Sequence, residues 1–157
     1  MNQEETDLLY GRVGMIVALS QMIEYNLAEV QAYQKVLSLF DKDGQVKREI
    51  FEKVSKEAEV LWEKSLNETL GQNIAQIKGA GIFKNNPKQI DELEAVLKER
   101  NYLVHQFFKE DVAKRSIEKN ITSVLKRLLD DVERMNRLNE ALIGQIKDLE
   151  KEYDSIG

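Results

Sequence analysis

Cysteine is missing altogether from this chain of 157 residues, and proline, histidine and tryptophan occur once each. The lack of cysteine excludes disulfides, thiolate nucleophiles and cysteine metal sites together, and is compatible with a reducing cytoplasm. One proline and eight glycines leave few residues that break helices. No apolar run approaches the roughly 18 residues needed to span a membrane. The N-terminal Met1-Asn2-Gln3-Glu4-Glu5-Thr6-Asp7 is acidic and lacks the basic and apolar regions of a signal peptide. These absences point to a soluble, cytoplasmic protein without a membrane partner.

What the chain does have is 32% charged and 42% apolar residues, a balance of helix formers and apolar anchors. The expectation is an all-α fold, one domain over 1–157, built as an antiparallel bundle of four long helices. A net charge of -5 argues against a general nucleic-acid binder. The charge is uneven, however. From Lys98 to Arg127 eight basic residues face four acidic ones, so that window carries +4 and the remainder -9. On charge alone the window reads as a solvated helix face.

The first helix is predicted from near Thr6 to Phe40. Leu9, Val13, Ile16, Ile23, Leu27, Val30 and Leu37 recur by fours and threes, with Ser20 and Gln34 filling the gaps. A second stripe, from Gly11 and Gly14 through Ala18, Met22, Tyr25, Ala28 and Ala32 to Val36, points elsewhere. This helix is therefore expected at the centre of the bundle, its two glycines admitting a close neighbour. Asp41-Lys42-Asp43-Gly44 is a turn; its spacing fits no calcium loop, because neither register puts a glycine sixth between acidic first and last ligands. A second helix is predicted over Val46 to Ile77, burying Ile50, Phe51, Val54, Ala58, Leu61, Trp62, Leu66, Leu70, Ile74 and Ile77. Trp62 reads as core or bundle-edge packing.

Gly79 to Asn86 is a plain connection, since phosphate-binding glycine loops need a fixed spacing after a strand. Asn86 and Pro87 open the third helix as N-cap and first residue, with Ile90, Leu93, Leu97, Val104 and Phe107 or Phe108 on its seam. Asp111 is the candidate N-cap of the fourth, whose seam runs from Ile121 through Leu125, Leu128, Val132, Met135, Asn139, Leu142, Ile146 and Leu149 to Tyr153. Asn139 on that seam is expected either to set register or oligomeric state at a cost in stability or to be incidental on one bundle layer.

Arg100 falls on the packing stripe of the third helix, between Leu97 and Val104. Burying a guanidinium without partners is costly, and such violations tend to sit at functional sites or interfaces. Asn101 and His105 are four apart and neighbours on one helix face, so the amide can hydrogen-bond the imidazole. Arg100 and His105, five apart, are separated by roughly 140° on an ideal helix and meet only through a long side chain or across a two-fold axis. The plain reading is a partly buried histidine satisfied by a neighbour, and an arginine paired with Glu99 or an acid on another helix. A metal site is not indicated, because the residue three before His105 is Tyr102 and no second histidine exists. No cofactor is implied.

Arg100-Asn101-Tyr102-Leu103-Val104-His105 resembles the R-N-x-x-x-H signature of the HEPN superfamily (higher eukaryotes and prokaryotes nucleotide-binding), a group of small all-α domains. The resemblance implies a metal-independent ribonuclease site where two protomers bring their motifs together. His105 would then act as general base or general acid, Arg100 would stabilise charge on the phosphate, and Asn101 would support the pair. It also implies an RNA substrate and a role as toxin or defence effector, with an antitoxin or a nucleotidyltransferase as partner. In the toxin branch paired with nucleotidyltransferases, a modifiable tyrosine stands two residues after the histidine; here Phe107 lacks that hydroxyl. The alternative is a noncatalytic helical interaction module, with Asn139 dictating assembly.

Overall fold

The computed structural model describes residues 1–40, 48–113 and 115–156. The turn expected at Asp41 to Gly44 and the start of the second helix lie outside them. The described residues contain no strand and five α-helices: α1 (Gln3–Leu37), α2 (Arg48–Leu66), α3 (Leu70–Gly79), α4 (Pro87–Tyr102) and α5 (Ile121–Ile156). A π-helical segment, Leu103–Val112, extends α4, and a 3-10 turn, Ser116–Asn120, leads into α5. No helix among the described residues is long and apolar enough to cross a membrane.

The predicted seams of the first and last helices supply most of the core. Leu9, Ile16, Ile23, Leu27 and Val30 of α1 are wholly inaccessible, and Leu128, Met135 and Leu142 of α5 match them. Helix α1 is central, packing against α2, α3, α4 and α5. Its start lies earlier than predicted because Asn2 and Glu5 form a capping box, each side chain accepting from the other's backbone N–H at 2.8 Å.

Side-chain bonds reveal the helix directions. Arg12 donates to the Leu125 carbonyl, Asn26 donates to Asn139 at 2.6 Å, and Tyr33 donates to Glu150 at 3.3 Å. Rising numbers pair with rising numbers, so α1 and α5 run parallel. Against α4 the numbers run oppositely: Gln89 and Gln145 exchange amide hydrogen bonds at 2.9 and 2.8 Å, while Glu99 meets Arg127 at 3.7 Å. The expected alternation of four antiparallel helices is therefore modified. Asn139 finds its partner inside the chain and sets the register of α1 on α5.

The cause lies in the second helix, which is two helices. Thr69 caps α3, its hydroxyl accepting from the Gln72 N–H at 3.2 Å while the Gln72 side chain accepts from the Thr69 N–H at 2.8 Å. This T-x-x-Q box stops α2 at Leu66 and sends α3 against the middle of α1. There Glu24 accepts from the Leu70 N–H at 2.8 Å, and Gln31 donates to Asn73 at 2.9 Å.

Helix α2 runs antiparallel to α1, with Tyr25 edge-on to Trp62 at 6.2 Å and Phe40 near Phe51 at 6.1 Å. Only one stripe of α2 is covered, around Val54 and Ala58. Ile50 and Leu66, expected inside, are 48% and 40% exposed.

The small-residue stripe of α1 divides at the same place. Its C-terminal half (Ala28, Val36) is buried near α2, whereas a Cβ added at Gly11 or Gly14 would meet nothing within 4 Å. A continuous second helix would have lain along that N-terminal half. Instead Leu8, Met15 and Met22 remain 41%, 52% and 49% exposed. The close neighbour expected at the two glycines is not found among the described residues.

Candidate functional site

The N-terminus of α4 forms as the residues dictate: the Asn86 side chain accepts from the Gln89 N–H at 3.3 Å and Pro87 takes the first turn. From there Leu93, Val96, Arg100, Leu103 and Phe107 repeat by threes and fours along the inward face. Leu93, Val96 and Leu103 are fully buried, and Phe107 is 1% exposed. The stripe thus passes through Val96 and Leu103, one position round from the expected Leu97 and Val104, and Val104 is 46% exposed. Arg100 remains on it. Its Nε is buried without a hydrogen-bond partner, while Nη1 donates to Asn101 Oδ1 at 3.1 Å.

His105 lies in the π-helical segment. Bonds from residue i to i+5 widen each turn, a rare geometry that frequently accompanies functional sites; here Ala113 N–H donates to the Phe108 carbonyl at 3.0 Å. Aromatic packing accompanies the wide turns. Phe107 meets Tyr102 and Phe108 edge-on at 6.0 and 5.3 Å, and Phe108 stacks on Tyr10 at 5.4 Å. Asp111, expected as the cap of the last helix, belongs to this segment instead. Its carboxylate accepts from the Tyr102 hydroxyl and its carbonyl from Ser116 Oγ at 3.0 Å.

An open groove of 840 Å³ runs between this wall and α5. Lys98, Asn101, Tyr102 and His105 line one side; Arg127, Asp131 and Arg134 line the other. Arg100 does not line it and reaches it only through Asn101. The His105 side chain is exposed and makes no hydrogen bond or ion pair with any described residue, so the reading of a histidine satisfied by a neighbour does not hold. The expected Asn101–His105 hydrogen bond is absent too; Asn101 Oδ1 accepts from Arg100 instead. Nor does Arg100 pair with Glu99, which stands 3.7 Å from Arg127.

The floor of the groove carries two carboxylates and two guanidiniums. Arg134 donates to Asp131 at 2.9 Å. Burial raises the Glu99 carboxyl above its ordinary range and the Asp131 charge raises it further, with Arg127 and Arg134 pulling the other way. The Arg127 guanidinium lies 5.6 Å above the Tyr102 ring. Burial and the Asp111 carboxylate raise the Tyr102 phenol, keeping its proton in place.

Compared with family models, curated proteins and solved structures, the chain has no match. The site must be read from its own chemistry. Among the described residues no three histidine, aspartate or glutamate side chains come together as metal ligands. The groove combines an exposed imidazole with fixed cations suited to a phosphate.

Arg127, Asp131 and Arg134 were missed by reading the motif alone. The signal for them was their spacing of four and three, a polar stripe running beside the apolar seam of α5.

Proposed function

We propose that this chain is a metal-independent endoribonuclease of HEPN type, acting as a homodimer through Arg100, Asn101 and His105. The bundle is then a HEPN-like variant in which the second helix is broken into α2 and α3. The reading is carried by one juxtaposition: Asn101 and His105 open into the groove whose far wall supplies Arg127 and Arg134, while Arg100 is tied to Asn101.

In the reaction, the ribose 2'-hydroxyl attacks the adjacent phosphorus, the bond to the 5'-oxygen breaks, and a 2',3'-cyclic phosphate and a 5'-hydroxyl result. His105 takes the 2'-proton or delivers one to the leaving oxygen, and a second protomer's motif supplies the complementary transfer. Arg100 acts through Asn101: its Nη1 holds Asn101 Oδ1, which leaves the Asn101 amide N–H groups to stabilise the charge that builds on the phosphoryl oxygens. Arg127, Arg134 and Lys98 hold flanking phosphates. An antitoxin or nucleotidyltransferase partner fits a toxin or defence role.

A second reading, a noncatalytic module, draws on the bare strip of α1. Leu8, Met15 and Met22 on α1 and Leu129 on α5 are 41%, 52%, 49% and 40% exposed. At 100° per residue Leu129 points away from Arg127, Asp131 and Arg134. A dimer through that strip leaves the two grooves apart.

The test is cleavage of single-stranded and structured RNA in EDTA by the wild type, His105→Ala and Arg100→Ala, with end-group analysis of the products. Expected are cyclic-phosphate ends from the wild type and losses of about a hundredfold or more in both variants. Intact RNA, or equal cutting by His105→Ala, removes the enzyme reading. If RNA stays intact while Met15→Glu with Met22→Glu converts a dimer to monomer, the module reading stands instead.

A further inference from the structure

We infer that the open pocket between α1, α2 and the last turns of α5 binds a small organic cation with an apolar body, an alkyl- or arylammonium. The cavity measures 370 Å³, within the size range of small-molecule sites. Three aromatic side chains, Tyr33, Trp62 and Tyr153, line it together with the carboxylates of Glu29 and Glu59, and among the described residues no lysine or arginine does. Aromatic faces attract cations through their negative quadrupole, and the one-sided charge of the walls disfavours anions.

The rings are held in advance. Tyr33 stands edge-on to Tyr153 at 6.2 Å, Tyr153 stacks on Phe51 at 6.1 Å, and Trp62 is edge-on to Tyr25 at 6.2 Å. A site built this way loses little freedom when it is filled.

Two further features suit an ammonium group. Ser55 Oγ, at the cavity wall, is buried without a hydrogen-bond partner, leaving an acceptor for an N–H or O–H donor of the ligand. Burial and the neighbouring Glu150 charge hold the Glu29 carboxyl above its ordinary range, so an incoming cation relieves a repulsion already present. The cavity meets α5 at Tyr153, far along that helix from the groove at Arg127 to Arg134, so this site does not depend on the ribonuclease reading.

The experiment uses the full chain, whose only tryptophan is Trp62. Its emission, and calorimetry in parallel, are followed during titration with choline and with the neutral isostere 3,3-dimethylbutanol. Choline is expected to bind saturably and at least about tenfold more tightly than the alcohol. Glu29→Gln and Tyr153→Leu, shown to be folded by circular dichroism, are each expected to weaken choline by a further several-fold. Equal affinity for the two probes reduces the cavity to an apolar pocket and overturns the assignment. So does the absence of saturable binding in both measurements, or unchanged choline affinity in both folded variants.

Discussion

Replacing Arg100 by methionine is expected to stabilise the protein while removing its proposed activity. The residue occupies the inward stripe of α4 between Val96 and Leu103, both fully buried, and its Nε is buried without a partner. A buried polar group left unsatisfied costs about 1–3 kcal/mol. Methionine keeps an unbranched stem of similar length, so the packing supplied by the arginine's methylenes is largely retained. What is lost is one hydrogen bond, from Nη1 to Asn101 at 3.1 Å. Asn101 is only partly buried, and water can take the vacated acceptor.

Set against the roughly 0.5–1.5 kcal/mol of that hydrogen bond, the balance is a gain of about 1 kcal/mol, read as a shift in urea midpoint at unchanged slope. In thermal melts it corresponds to about 2–4 °C for each kcal/mol in a chain of this size. A naturally placed residue whose removal stabilises the fold is held there for another purpose. If Arg100→Met instead unfolds more easily than the wild type by about 1 kcal/mol or more, the guanidinium is a packing element. The functional reading of its position then fails, whatever the nuclease assay returns.

Other consequences concern stability and pH. Asn139→Leu alone strands the Asn26 amide, bonded at 2.6 Å in the wild type, and should cost about 1–3 kcal/mol; adding Asn26→Leu should recover much of it. Additive effects in the double-mutant cycle of urea melts would show that the two amides are not coupled. For Glu99 the folded-state pKa is raised above the ordinary 4.5, so the native state holds the proton longer than the unfolded chain. Its contribution is present below pH 4.5 and is lost as pH rises through the folded value. Urea midpoints of the wild type should therefore fall more steeply than those of Glu99→Gln across that window; parallel curves would contradict the burial argument. Gly71→Ala places a methyl 3.5 and 3.7 Å from Leu97 carbons, ordinary contact, and should gain up to about 1 kcal/mol from helix propensity. A loss would mean that α3 and α4 cannot spare that space.

Much of the helical content is legible in the residues themselves, because a helix reports its buried face every three or four positions. The seams of α1 and α5 recur on that period and are buried as written, with Leu9, Ile16, Leu27, Leu128 and Leu142 fully enclosed. Local caps are legible for the same reason: Asn86 and Pro87 act within one turn of themselves. The Thr69–Gln72 box is equally local, but apolar residues continue at helical spacing across it, from Leu66 through Leu70 to Ile74, and mask the break.

What only the tertiary structure decided are relations between segments distant in the chain. The parallel course of α1 and α5 follows from where α3 lands after its cap, and no periodicity encodes that. The π-helical turns around His105 follow from packing Phe107 and Phe108 against Tyr102 and Tyr10, which overrides the local preference for α-helix. The motif from Arg100 to His105 is visible as six residues on one helix. The groove is not, since its second wall, Arg127, Asp131 and Arg134, comes from a helix more than twenty residues further on. Sequence spacing determines which side chains share a face; only packing brings two faces together and determines which charges they leave to a ligand.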